Sequence, residues 1–121
     1  MYNEQTQLRK KADVLTWNIA IQKMGLDCEI CGNPMDDVHH IFPKGQYPYL
    51  RYDFDNLTNI CRKCHEMPDR EILDELEKKR GKMWRKRLEK KAKNLSHIRI
   101  NVSWYEYNIK RLEYMGRCLN M

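Results

Sequence analysis

A chain of 121 residues, a third of them charged, has room for one modest hydrophobic core and none to spare for a second. No apolar run approaches the length of a membrane span, which argues for a soluble protein without a membrane partner. There is no secretory signal, and five cysteines leave one over, so a secreted disulfide scaffold is disfavoured and a reducing cytosol, bacterial or phage-infected, is the expected compartment.

The net charge of +6 is unevenly spread. Residues 1–27 carry four Lys/Arg against three Asp/Glu (+1), residues 28–69 four against seven (−3), and residues 70–121 fifteen against seven (+8). Ten of the basic side chains fall between Lys78 and Lys93, where Glu89 is the sole acid. A solvated helix face is the plain reading of any charge run, but this imbalance of sign favours a polyanionic partner.

In chain order, Leu8, Ala12, Leu15 and Ile19, with Val14 and Ile21 beside them, recur at helical spacing, and Gly25 is a suitable stop. Cys28/Cys31 and Cys61/Cys64 follow as two C-x-x-C pairs. Each pair presents two thiolates on one side, and four thiolates satisfy Zn2+ in a closed tetrahedral site. Such a site is structural, and for a chain this small and polar its binding energy would be part of the folding energy. The fifth thiol, Cys118, is expected to be a small core residue.

Between the pairs, Val38 to Ile41 reads as a short strand bearing two adjacent imidazoles. A turn-rich stretch around Asp53–Asn56 and a second strand over Leu57–Ile60 come next. Cys61 to Met67 should turn into a helix carrying His65. Strand, loop, strand and helix would then bring His39, His40, Asn56 and His65 together. The adjacent histidines could instead supply zinc ligands.

Asp69 after Pro68 is a plausible N-cap for a helix over about 70–94, along which Leu73, Leu76, Met83, Trp84, Leu88, Ala92 and Leu95 trace an apolar stripe interrupted by Gly81. Ile98, Ile100 and Val102 alternate as a short strand would. Ser103 and Glu106 form a possible capping box for a last helix running towards Gly116. His97 is expected at the surface without a chemical role.

Three segments resemble, in order and spacing, the motifs of the HNH endonucleases of the ββα-metal fold. They are Val38-His39-His40-Ile41-Phe42-Pro43, Asn56-Leu57-Thr58-Asn59-Ile60-Cys61 and Cys61-Arg62-Lys63-Cys64-His65, and the resemblance covers about residues 28–67. It implies an α+β fold: a zinc-stabilised ββα core over 28–67, an N-terminal helix in 1–27 and a basic helical part over 68–121, together forming one domain. It further implies a DNA phosphodiesterase in which His40 activates water, Asn56 orients the His40 ring with Asn59 competing for that role, and His39 and His65 hold a catalytic divalent ion. His39 stands where the family often has Asp. An imidazole there is a softer ligand than a carboxylate, so Mn2+, Ni2+ or Co2+ should serve at least as well as Mg2+.

Lys44, Arg62, Lys82, Arg85, Lys86 and Arg87 are the candidate phosphate contacts. The stretch Lys44–Asp53 and the flanking helices resemble small phage or prophage HNH proteins of the NinG/Rap recombination-endonuclease type. This implies branched DNA as substrate, and a homodimer if symmetric junctions receive paired nicks. The alternative is a zinc-stabilised nucleic-acid-binding module that keeps the nuclease frame without cutting.

Overall fold

In the computed structural model, described for residues 3–120, the elements run α1 (Glu4–Met24), β1 (Asp37–His40), β2 (Leu57–Ile60), α2 (Arg62–His65), α3 (Asp69–Arg80), α4 (Lys82–Asn94) and α5 (Val102–Leu119). Short 3-10 turns at Pro48–Leu50 and Phe54–Asn56 lie between the strands. The fold is α+β, with a two-stranded antiparallel sheet and four cysteines brought close together.

Helix α1 starts at Asn3, whose side chain accepts from the Thr6 amide at 2.8 Å, and stops at Gly25, where φ is +86°. Its buried residues Ala12, Thr16, Ile19 and Ala20 fall on one face, as a period of 3.6 requires. That face meets α5, which buries Tyr105, Asn108, Ile109 and Leu112 at matching spacing. Tyr52, from the loop between the strands, completes this first cluster. The second cluster joins Cys28, Cys61 and Cys64 to Ile41, Leu50 and Ile60, and to Ile72 and Leu76 of α3 and Trp84 and Leu88 of α4.

Strand β2 has the bounds expected from the sequence. It pairs with β1 in the register Asp37↔Ile60, Val38↔Asn59, His39↔Thr58 and His40↔Leu57. Four-residue strands are marginal alone, and this pair is held from outside. Asn59 is fully buried and donates to the Ala20 and Gly25 carbonyls at the end of α1 (3.2 and 2.7 Å), so it ties β2 to that helix and takes no part in orienting an imidazole.

Four expectations are corrected. The helix over 70–94 is two helices, because Gly81 adopts φ +98°, ends α3 by donating to the Glu77 carbonyl and opens α4. The break lets both helices press their apolar faces on the zinc side of the core, and it leaves Met83 72% exposed instead of in the stripe. Pro68, not Asp69, is the N-cap of α3, and Asp69 is its first helical residue. Residues 98–102 form no strand; Asn101 caps α5 by accepting from the Trp104 amide at 2.9 Å, which places Ser103 inside the helix. Cys118 is exposed near the end of α5, outside both clusters.

One tie spans the zinc side of the molecule. Arg80, at the last turn of α3, donates to both carboxylate oxygens of Glu29 (2.6 Å each) within the first cysteine knuckle, and to the Leu57 and Asp55 carbonyls. Thr58 donates to the same Glu29 carboxylate. Both charged partners are largely buried, so removing one strands the other. Arg80→Ala should therefore cost about 3 kcal/mol and lower the melting temperature by roughly 10 °C, as read by thermal denaturation. A loss below about 1 kcal/mol would contradict this view of the tie.

Candidate active site

Successive strand residues face opposite ways, so His39 and His40 diverge from adjacent positions of β1. They line a cavity of about 450 Å3 whose wall is Asp13, Thr16 and Trp17 of α1, with Lys44 and Arg51 from the interstrand loop and His65 and Asp69 across from them. The structure thus brings His39, His40, His65 and Lys44 to one place.

His40 lines the cavity, with its Nε2 3.1 Å from the backbone carbonyl of Arg51. A carbonyl only accepts, so Nε2 carries the hydrogen and Nδ1 keeps a free lone pair. Burial, as the largest influence, pushes the ring's pKa down to about 4 even though the Arg51 carbonyl favours the charged form. The imidazole is neutral near pH 7, the state a proton acceptor requires.

The resemblance implies that Asn56 holds the His40 ring, but the side-chain partners of Asn56 are backbone groups of the interstrand loop. Asn56 is fully buried: its Oδ1 accepts from the Phe42 amide at 2.7 Å, and its Nδ2 donates to the Phe42 and Leu50 carbonyls at 3.1 and 3.3 Å. Its side chain pins both ends of the loop between β1 and Arg51. Its influence on His40 runs through that loop.

His39 faces the other way. Its ring lies edge-on to His65 with centroids 4.5 Å apart, and its Nε2 is buried without a hydrogen-bond partner. Among the described residues only Asn59 Oδ1 shares that condition. The Asp69 carboxylate, on the first turn of α3, is 3.9 Å from this nitrogen. Burial and then the His65 ring lower the His39 pKa, while Asp69 and Asp37 act in the opposite sense. His39, the exposed His65 ring and the Asp69 carboxylate are thus neighbours, while among the described residues the four cysteines are the group whose ligand atoms lie close enough together to hold a metal. The sequence marks Asp69 only as a helix cap, and its one further signal is its place four residues after His65.

The four cysteine sulfurs all lie within 4.8 Å of one another, and Cys31 and Cys61 are separated by 3.6 Å. That distance is far beyond a disulfide bond and close to the edge of about 3.8 Å that Zn–S bonds of 2.3 Å give a tetrahedron. Burial pushes the Cys28 thiol up, but backbone hydrogen bonds from Cys31, Cys61 and Ile30 outweigh it and leave it at about 7. Cys64 is pushed up by burial and by the neighbouring sulfurs. Four thiolates in one place need a cation, and the set fits structural zinc. The histidines are not part of this cluster.

The basic run is divided in its use. Arg85 donates to Asp74 and Glu77 of α3 and to Glu89, and Arg87 forms a two-bond pair with Asp55. Lys91 bridges Asp53 and Asp55. These carboxylates raise the pKa of Arg85 and of Arg87. Arg85 and Arg87, expected at phosphate, are thus engaged by carboxylates of α3, α4 and the interstrand loop. Lys82 and Lys86 are exposed on α4, away from the cavity, and Arg62 is exposed beside the second cysteine pair.

No helix among the described residues is long and apolar enough to cross a membrane. No solved structure matches the chain significantly. A "Mitochondrial DNA mismatch repair protein mutS homolog" of Sarcophyton glaucum is 45% identical over 42 residues, an alignment covering 31% of this chain and 4% of that protein. The chain therefore spans a small fraction of the relative it matches. Residues 28–71, which contain both cysteine pairs, His39, His40, Asn56, His65 and Asp69, match the family model of the HNH endonucleases.

Proposed function

We propose that the protein is a metal-dependent endonuclease that hydrolyses DNA phosphodiester bonds, with His40 as the general base. The observation that carries this reading is the His40 ring itself: neutral, set in one tautomer by the Arg51 carbonyl, and lining the same cavity as His39, whose buried Nε2 has no hydrogen-bond partner. His40 Nδ1 accepts the proton of the attacking water, the loop pinned by Asn56 keeps the ring in place, and Lys44 meets the phosphate at the cavity rim. His39 and His65, with Asp69 beside them, would hold Mg2+, Mn2+ or another divalent ion, which when bound supplies charge neutralisation for the pentacoordinate phosphorus and the leaving oxygen. The zinc cluster clamps the two strands to α2 and takes no chemical part.

DNA as the polymer is supported by the family match, by the mismatch-repair relative and by the net charge of +6. Branched DNA of the kind met in recombination is the finer proposal, with a homodimer if symmetric branches are cut in pairs. Supercoiled plasmid tests the activity: nicked circles should accumulate with Mg2+ or Mn2+ and not with EDTA, and zinc-loaded protein that leaves the plasmid intact in every divalent metal would overturn the reading. Flap, junction and plain duplex substrates then test the branch preference.

The exposed lysines of α4 supply a second test. If Lys82 and Lys86 each neutralise a phosphate, Lys82→Glu with Lys86→Glu should weaken duplex binding and reduce the slope of log K against log salt by about 2. An unchanged slope would remove α4 from the DNA interface.

A further inference from the structure

The carbonyl that fixes the His40 ring belongs to Arg51, and the side chain of Arg51 is itself held. It is 16% exposed and donates its Nε and Nη2 to the two carboxylate oxygens of Asp13 at 2.9 and 2.8 Å. The next residue, Tyr52, is 1% exposed and donates its hydroxyl to the same carboxylate at 2.9 Å, while its own carbonyl accepts from Arg111 of α5 at 2.6 Å. Asp13 is therefore the point on α1 where three hydrogen bonds converge to fix the peptide that orients the base. It lies in the cavity wall and outside the segment that matches the nuclease family.

We propose that Asp13 is a positioning residue for His40, setting the tautomer and direction of the ring through the Arg51 carbonyl, so that α1 is a working part of the site. The inference rests on the nuclease reading for its kinetic consequence and on geometry alone for its structural one. A bidentate arginine–carboxylate pair resists both rotation and translation, and a displacement of about 1 Å at a reacting group costs up to a hundredfold in rate. A clamp that served only to fasten α1 would change stability and leave the ring as it is.

The test uses the full zinc-loaded chain and two variants, Asp13→Ala and Asp13→Asn; the second keeps the shape and an acceptor for Tyr52 should the first fail to fold. Nitrogen-15 shifts of His40 read the tautomer directly. The parent should show the Nε2–H form alone, and the variants should show a mixture. In DNA cleavage kcat should fall roughly ten- to a hundredfold with KM changed less than about twofold. Lys91→Ala, which breaks two ion pairs of similar burial away from the cavity, should leave both the tautomer and kcat unmoved.

A folded Asp13 variant with the parent's tautomer, or the same loss of kcat in Lys91→Ala, would overturn the proposal. If the parent does not cut DNA, the nuclease reading has failed, and the tautomer measurement still decides the role of Asp13.

Discussion

His40→Ala should lower the rate of DNA cleavage by about 10²- to 10⁴-fold, the usual contribution of a positioned general base, with zinc content and DNA affinity close to the parent's. The ring is only partly exposed, and its one hydrogen bond is to a backbone carbonyl that can take water in its place, so folding should survive the truncation. Single-turnover cleavage measures the rate and fluorescence anisotropy the affinity. A parent-like rate would remove His40 from the chemistry.

The same ring predicts a pH dependence. The active form is the neutral imidazole, and burial has moved its pKa from 6.5 to about 4. Activity due to the base is therefore present above that value and is lost as pH falls through it. The acid limb of kcat/KM should lie well below the 6.5 of an exposed histidine.

Cys61→Ala should have the largest effect on stability. Cys28, Cys61 and Cys64 are all buried in the cluster that also holds Ile60, Ile72 and Leu88, so metal and core are lost together. Structural zinc contributes on the order of 10 kcal/mol, as much as the whole stability of a typical domain. The variant should be recovered without zinc, with its centre unfolded and its melting transition broadened or absent. EDTA acting on the parent should reproduce that state, and added zinc should reverse it. Elemental analysis with circular dichroism checks both, and a variant that kept one zinc and the parent's melting temperature would contradict the assignment.

Much of the centre was legible because its signals are local. The two cysteine pairs, the strand at Leu57–Ile60 and the stop at Gly25 follow from spacing, branching and turn chemistry within a few residues. The break at Gly81 was visible as a weak point but not as an end, since only packing on the zinc cluster makes two short helices better than one long one. The alternation at Ile98–Val102 is the signature of a strand, yet among the described residues no neighbour pairs with it and the Asn101 cap wins.

The site was half legible for a different reason. His39, His40 and His65 are named by their own chemistry, whereas the group that orients His40 is a main-chain carbonyl, which looks the same at every position of a sequence. Asp13 with Arg51, and Glu29 with Arg80, join residues 38 and 51 positions apart, and no local pattern pairs them. Counting charges over 78–93 likewise could not reveal that Asp53, Asp55, Asp74 and Glu77 take up part of the basic run from elsewhere.

Chemical rescue tests the central claim most directly. His40→Ala, zinc-loaded and assayed on supercoiled plasmid with Mn2+, should regain part of its nicking rate when imidazole is added, with saturation in imidazole and a pH dependence that follows the free base. Nicking by the variant at the parent's rate without imidazole would contradict the account, because the proton would then be leaving by another route.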